Sequence, residues 1–208
     1  GQPVAVEAPR GVRSALVGRA DALATLRDVI ARAIEFQAPQ LVTIVGNQGT
    51  GKTRLINEMI EELRAPASGR AGSAPRTVRG AAERDATGKR VRFAVLAALL
   101  RNRFELTPNP DETSLLRFTH EVKNVMGAEQ VSEILYFLGA FVGIDVPPTP
   151  FLKAVTEKPQ QHAQLARTAL RRFVELDAAT SPLVLVLDDL QWADDESLEL
   201  ISELSANL

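Results

Sequence analysis

The stretch "LVTIVGNQGTGKT", Leu41–Thr53, decides the fold. Its second part, Gly46–Thr53, fits the pattern G-x-x-x-x-G-K-[ST] in full. The five residues before it are apolar and mostly β-branched, which predicts a buried strand. The residues after it, Thr53–Leu63, repeat apolar side chains at helical spacing, which predicts a helix. A strand, a glycine-rich turn and a helix in this order predict a loop whose backbone amides surround phosphate groups.

The residues of this loop have separate predicted roles. Lys52 would reach the β- and γ-phosphates of a nucleotide and is a catalytic candidate, and the Thr53 hydroxyl would ligate magnesium. The glycines let the backbone curl so that its amides point inward. The predicted nucleotide-binding residues of the loop are Gly46, Asn47, Gln48, Gly49, Thr50, Gly51, Lys52 and Thr53. A plain turn joining a strand to a helix is the alternative, and the context on both sides disfavours it.

A second apolar run, Leu183–Leu187, leads directly into Asp188 and Asp189. If it is a strand beside Leu41–Val45, its carboxyl end opens at the phosphate loop. Asp188 is then the predicted magnesium ligand, and Asp189 is the catalytic candidate that orients or deprotonates the attacking water. The metal ion on the nucleotide would offset the burial of these acids. The alternative, that both acids only cap the next turn, is weakened by the phosphate loop upstream.

The rest of the chain alternates helical patterns with one further strand. Strands separated by helical stretches predict a parallel α/β sheet. The predicted elements are a helix over Asp21–Phe36, a strand over Thr77–Ala82, three helical pieces within Val91–Ile144 that are divided at Pro108–Asp111 (with Asp111 as an N-cap) and at Gly127, a helix over Gln160–Leu176, and a last helix from about Asp195.

Composition excludes several classes of site. The 208 residues contain no cysteine, so disulfides, zinc–thiolate sites and a cysteine nucleophile are excluded. The net charge of −2 argues against direct binding of nucleic acid, which depends on lysine and arginine neutralising phosphates. The sequence shows no signal-peptide pattern and no apolar run long enough to cross a bilayer. We therefore expect a cytoplasmic protein without membrane contact.

Two segments carry a resemblance to a known family. "LVLVLDDLQWADDESLELI" is similar to the Walker B region of the signal-transduction ATPases with numerous domains (STAND), which are P-loop proteins close to the AAA+ group. "LVGRADALATL" resembles the opening of the same family, apolar-apolar-Gly-Arg-Glu-x-Glu. The sequence keeps Val17, Gly18 and Arg19 but departs from the pattern at Ala20 and Ala22, where acids are usual. The resemblance places Gly18 and Arg19 near the adenine or the phosphates, as further nucleotide-binding candidates.

The resemblance implies a three-layer P-loop NTPase fold, with a parallel sheet flanked by helices. In such a fold a strand ending in a sensor residue follows Walker B and inserts between the two motif strands, and a helical lid follows it. We expect this domain to be incomplete at its C-terminus, because neither the sensor strand nor the lid occurs in the sequence. The expected organisation is a linker over residues 1–12 and a partial ATPase domain over 13–208, with a helical insertion at about 91–177.

The resemblance also implies a function. We expect a domain that binds ATP and Mg²⁺, hydrolyses ATP slowly, and acts as a switch module of a multidomain signalling or regulatory protein. Hydrolysis is expected to be weak or partner-dependent, because no sensor residue or arginine finger is in place. The expected partners are ATP or ADP, other domains of the parent polypeptide, and further copies in nucleotide-dependent self-association. Two alternatives stay open: an AAA+ initiator or loader acting on nucleic acid, and a nucleotide-binding scaffold that does not hydrolyse.

Overall fold

The computed structural model describes residues 18–65, 74–107, 109–127, 131–156 and 159–207. The proposed linker and Val17 lie outside the described residues. The elements are α1 (Ala20–Phe36), α2 (Lys52–Arg64), β1 (Arg76–Ala81), α3 (Ala94–Phe104), α4 (Glu112–Met126), α5 (Val131–Val142), α6 (Pro150–Thr156), α7 (Pro159–Thr180), β2 (Leu183–Asp188), a 3₁₀ turn (Leu190–Trp192) and α8 (Asp195–Asn207).

The sheet consists of β1 and β2, which pair in parallel from Arg76 opposite Leu183 to Ala81 opposite Asp188. Parallel neighbours need a crossover, and here α3 to α7 lie between the two strands in the chain. Both strands were predicted within one residue of their observed ends. The α/β class and a parallel sheet are therefore confirmed, but the neighbour of Leu183–Leu187 is β1 and not the predicted Leu41–Val45.

The strand prediction for Leu41–Val45 was wrong. This segment pairs with no strand among the described residues. Its side chains are largely exposed, with Leu41 at 64% and Val45 at 88%. An apolar run becomes a strand only where a neighbour about 4.8 Å away completes its backbone hydrogen bonds. The larger sheet of a complete three-layer domain is accordingly not seen in the described part of the chain, where the sheet has two strands.

The main core lies between β2 and the helices α3, α4, α5, α7 and α8. Leu183, Leu185 and Leu187 project from one face of β2 into it. The largest fully buried side chains are Phe104, Phe118, Phe173, Leu96, Leu100, Leu138, Leu152, Leu170 and Leu200. Helix α3 packs very close to β1, because Gly80 has no side chain: a Cβ there would lie 2.4 Å from the carbonyl oxygen of Val95.

A second, smaller cluster joins α1 and α2. It consists of Leu23, Leu55, Met59 and Leu63, with Val184 of β2 and Ile44 packed against it. Val184 lies on the face of β2 opposite Leu183 and Leu185, so helices pack on both faces of this strand. Arg27 of α1 also donates two hydrogen bonds, both 2.6 Å, to the Glu62 carboxylate of α2.

Most helix ends follow the local signals. Asp111 caps α4, because its carboxylate accepts a hydrogen bond of 2.9 Å from the Ser114 amide. Gly127 ends the same helix at φ +75°. Helix α6 was not predicted: it starts at Pro150, a residue tolerated in the first turn of a helix. Among the described residues, no helix is long and apolar enough to cross a membrane.

A buried ion network links β1, α3 and α7. Asp177 of α7 is only 1% exposed, and its carboxylate accepts hydrogen bonds of 2.8 Å from Arg103 Nε and Nη2 and one of 2.9 Å from Arg76. Burial raises the pKa of Asp177, but the hydrogen bonds and charges of the two arginines outweigh this and hold the pKa below its usual value. The network therefore joins the start of the sheet to the helical core.

Candidate nucleotide-binding site

The loop Gly46–Thr53 has the backbone that its glycines allow. Gly49 and Gly51 have φ of +79° and +82°, a region that strains other residues, and Gly51 is the N-cap of α2. A Cβ at Gly46 would lie 2.8 Å from the Thr50 hydroxyl oxygen, so a larger residue would displace Thr50. The curled backbone thus depends on glycine at Gly49 and Gly51, and Gly46 leaves room for the Thr50 hydroxyl.

Lys52 is folded onto this loop. Its ammonium donates hydrogen bonds to the carbonyl oxygens of Gly46, at 2.7 Å, and Asn47, at 2.9 Å. The Thr50 hydroxyl donates to the same Asn47 carbonyl at 2.8 Å. A phosphate oxygen is a stronger partner for an ammonium than a neutral carbonyl, because the hydrogen bond is assisted by both charges. The loop therefore holds a cation where an anion can bind.

The first turn of α2 adds to this anion-binding character. Its leading N–H groups have no acceptor within the helix, and the positive end of the helix dipole lies at the same place. The residues Asn47, Gln48, Gly49, Thr50 and Thr53 are exposed. The loop is open to solvent on the side where a ligand would approach.

Arg19 reaches the loop from a distant part of the chain. Gly18, at φ +71°, turns the backbone just before α1, and Arg19 is the N-cap residue of that helix. The Arg19 guanidinium donates a hydrogen bond of 2.6 Å to the Thr50 carbonyl, 31 residues away in sequence. The structure thus brings the Arg19 cation to the loop that also contains Lys52, and Gly18 is its neighbour in the chain.

Asp188 is the last residue of β2 and is partly buried. One oxygen of its carboxylate accepts a hydrogen bond of 2.7 Å from Arg79 of β1, and the other accepts one of 3.0 Å from the Asp189 amide. A second nitrogen of the Arg79 guanidinium donates to Asn57 of α2 at 2.9 Å. Asn57 is one helical turn beyond Thr53, so a single guanidinium connects Asp188 to the helix that carries the other predicted magnesium ligand.

Arg79 and Asn57 were missed in the sequence. The available signal was a charged residue inside the otherwise small and apolar strand "TVRGAA". Charged side chains are rarely placed in such a strand without a partner, because desolvating an isolated charge is costly. The partner, however, lies 109 residues away, and nothing local to Arg79 identifies it.

Asp189 has an unusual backbone conformation. Its φ is +55° and ψ +33°, the left-handed region, which aspartate tolerates better than most residues. Its exposed carboxylate accepts a hydrogen bond of 3.0 Å from Gln191, within the 3₁₀ turn. The structure therefore separates the two acids: Asp188 points toward Arg79, and Asp189 lies in the turn beyond the strand.

The 3₁₀ turn and the residues after it contact the loop between β1 and α3 through a hydrogen bond and a cation–π interaction. Asp194 accepts hydrogen bonds from the amides of Ser197, at 3.0 Å, and Phe93, at 2.8 Å. Burial raises the pKa of Asp194, but these hydrogen bonds, together with one from the Ser197 hydroxyl, hold it below its usual value. Arg84 lies over the Trp192 ring in a cation–π contact. Trp192 thus supports the adjoining loop and is not a free stacking surface.

The predicted metal ligands, Thr53 and Asp188, suit a magnesium ion only when a nucleotide supplies further ligands. Among the residues described, no group of three or more histidine, aspartate or glutamate side chains could hold a metal ion. The Thr53 hydroxyl and the Asp188 carboxylate are hard oxygen donors of the kind Mg²⁺ prefers, and that ion commonly takes its remaining ligands from phosphates and water. The residues present therefore fit a metal that arrives with its phosphates.

Comparison with known families agrees with this geometry. The family model described as "AAA ATPase domain" matches residues 15–208. The chain belongs to this family. Membership in the AAA ATPase family implies an α/β P-loop fold, nucleotide binding and ATP hydrolysis, with Mg²⁺ as the usual cofactor. No match is found among curated proteins or among solved structures.

Proposed function

We propose that this AAA ATPase domain binds ATP or ADP with Mg²⁺, hydrolyses ATP slowly, and serves as a switch module of a multidomain signalling or regulatory protein of the STAND type. The observation that carries the proposal is the loop Gly46–Thr53, whose backbone curls at Gly49 and Gly51 and whose carbonyl oxygens accept hydrogen bonds from the cationic side chains of Lys52 and Arg19.

In this proposal, the loop amides and the charges of Lys52 and Arg19 bind the phosphates, and Gly18 provides the turn that brings Arg19 there. Thr53 and Asp188 would hold the magnesium ion, which would neutralise charge on the phosphates. Lys52 stabilises the negative charge on the phosphate oxygens while the γ-phosphoryl group is transferred to water. Asp189 orients or deprotonates that attacking water.

Slow turnover is supported by the present partners of the two acids. Asp188 is paired with Arg79, and Asp189 is engaged by Gln191 in a left-handed conformation. A metal at Asp188 would have to bind against the positive charge of Arg79, and Asp189 would have to turn away from Gln191 to reach a water. Such competition lowers the fraction of domains that are ready to hydrolyse ATP.

The switch role rests on the resemblance of "LVGRADALATL" and "DDLQWADD" to the STAND ATPases. Loops that order around a γ-phosphate and relax after hydrolysis are a common way for such domains to signal. The proposed receivers of the signal are other domains of the parent polypeptide and further copies in nucleotide-dependent self-association.

Titration calorimetry with Mg·ATP and Mg·ADP tests the binding part of the proposal. The wild type should release or absorb heat with both nucleotides. Lys52→Ala should weaken binding about 10- to 100-fold, the range for losing charge-assisted hydrogen bonds. Lys123→Ala, an exposed lysine on α4, is the matched control and should bind as the wild type does. Wild-type protein without any binding heat would contradict the proposal.

Phosphate release separates the proposed ATPase from a non-hydrolysing scaffold. Asp189→Asn should bind nucleotide normally but release phosphate roughly 100-fold more slowly, because it loses a positioned base. If wild type, Lys52→Ala and Asp189→Asn all match buffer while nucleotide still binds, the scaffold alternative holds. A DNA-shift assay across salt concentrations tests the loader alternative, which requires steep salt-dependent binding.

A further inference from the structure

Arg79 lies where three elements meet. Its neighbours Val78 and Gly80 are buried toward α3, so its own side chain projects from the opposite face of β1. There its guanidinium donates to Asp188 of β2, at 2.7 Å, and to Asn57 of α2, at 2.9 Å. Its backbone amide donates to the Asn102 side chain of α3, also at 2.9 Å. Contacts with β2, α2 and α3 therefore fix the position of Arg79.

The Asp188 carboxylate carries one negative charge, and two cations could pair with it: the Arg79 guanidinium and the magnesium ion of the proposed function. It is 27% exposed and Arg79 is 36% exposed, so both charges are partly removed from water. Burying part of a carboxylate charge is costly unless a cation or strong hydrogen bonds compensate for the lost water. In this structure Arg79 fulfils that requirement, and the same carboxylate is the magnesium ligand of the proposed function.

A guanidinium and a divalent metal beside one carboxylate repel each other. Both carboxylate oxygens already accept a hydrogen bond, one from Arg79 and one from the Asp189 amide. A metal or its coordinated water could approach the free lone pairs, but only against the positive charge of Arg79. Asn57 offers the guanidinium a second partner, so Arg79 can release Asp188 without losing every acceptor.

We propose that Arg79 is a built-in counter-cation for Asp188, which occupies the carboxylate in the metal-free domain and yields it to Mg²⁺ when nucleotide binds. This inference rests on the proposed function and adds a competitor for its metal site. Arg79 is thus a positioning residue: it holds the Asp188 carboxylate in place, and it lowers the affinity of that carboxylate for the metal.

The test measures how much Mg²⁺ improves nucleotide binding. For each variant, the Kd of ADP is determined by calorimetry in excess EDTA and again with Mg²⁺, and the ratio of the two values is the magnesium enhancement. Arg79→Gln should raise the enhancement about three- to tenfold, the range of a half-exposed ion pair. Arg79→Lys, which retains the positive charge, should stay close to the wild type.

A matched control guards against a general effect of removing an arginine. Arg167 of α7 is 28% exposed and pairs with Glu199 and Glu203 of α8. Arg167→Gln should leave the magnesium enhancement unchanged. An unchanged or lower enhancement in Arg79→Gln would overturn the inference, because it would mean that the guanidinium does not compete with the metal.

A second measurement needs no nucleotide. Thermal unfolding of the metal-free wild type, Arg79→Gln, Asp188→Asn and the double variant forms a double-mutant cycle. The inference requires the double variant to lose less stability than the sum of the two single variants. Additive losses would overturn it. Wild-type protein that binds no nucleotide, with or without Mg²⁺, would instead overturn the proposed function, and this result is obtained before any Arg79 variant is measured.

Discussion

Leu41–Val45 and Leu183–Leu187 are almost interchangeable as sequences, and only the second is a strand. Leu183–Leu187 pairs with β1, and its two faces pack against two helix clusters. Leu41–Val45 has no strand partner in the described part of the chain, and four of its five side chains are exposed. An apolar run rich in β-branched residues therefore has only a tendency to form a strand. Whether it does so depends on an adjacent strand that completes its hydrogen bonds.

The same contrast separates two regions of the molecule. The phosphate-loop region, residues 18–65, buries a cluster of four residues between α1 and α2. The helical region, α3 to α8 with the sheet, buries a much larger core. Predicted binding residues concentrate in the region with little core, where the backbone can adjust to a ligand.

Asp177→Ala should lower the free energy of unfolding of the helical region more than the other substitutions considered. It leaves Arg103, which is 13% exposed, without its buried partner, at a cost of about 3–5 kcal/mol in the free energy of unfolding. Urea denaturation at pH 7 measures the loss. The pKa of Asp177 is lowered in the folded protein, so its contribution is complete above its unfolded pKa of about 3.9 and is lost as the pH falls through the folded value. The difference between wild type and variant should therefore shrink below pH 4; a constant difference would contradict the network.

A pair of identical substitutions compares the two regions directly. Leu170 of α7 and Leu55 of α2 are both buried, at 1% and 4% exposure. Leu170→Ala should cost about 4–5 kcal/mol and Leu55→Ala about 2–3 kcal/mol, because a small cluster can relax around the cavity more readily than a large core. Only Leu55→Ala should also weaken Mg·ATP binding. Equal stability losses, or weaker Mg·ATP binding in both variants, would contradict the claim that the two regions differ in core size and in their role in binding.

Gly80→Ala tests how closely the sheet and the helical region approach. The added methyl group would lie 2.4 Å from the Val95 carbonyl oxygen and 2.8 Å from the Leu99 amide nitrogen, both backbone atoms that cannot rotate away. We expect a loss of about 1–3 kcal/mol in the free energy of unfolding, the usual cost of overpacking. Chemical denaturation measures it. A variant as stable as the wild type would show that α3 and β1 lie farther apart.

Hydrogen exchange addresses the two apolar runs without any substitution. In the nucleotide-free domain, the amides of β2 that bond to β1 should exchange roughly 100-fold more slowly than those of Val42–Val45. The physical reason is that the β2 amides must break ladder hydrogen bonds before they exchange. Mass spectrometry of peptides covering the two runs checks the result. Similar protection in both runs would mean that Leu41–Val45 has a strand partner after all.

The helices and the phosphate loop were predictable because their causes are local. Helical spacing predicted α1 and α2 within a residue of their observed ends, and Asp111 and Gly127 marked the ends of α4. The positive φ values of Gly49 and Gly51 follow from the G-x-x-x-x-G-K-[ST] pattern, since only glycine adopts them without strain.

Sequence alone thus determined the backbone of the loop Gly46–Thr53, the bounds of α1 and α2, both ends of α4, and Asp188 as the end of β2, because each depends on residues within a few positions. Tertiary structure alone decided which apolar run became a strand and which cation faces Asp188. Arg79 is 109 residues from Asp188, and Arg19 is 31 residues from Thr50. Such pairs form only when packing brings distant segments together. The family resemblance directed Arg19 toward the phosphate loop, but no local pattern identified Arg79 as the partner of Asp188.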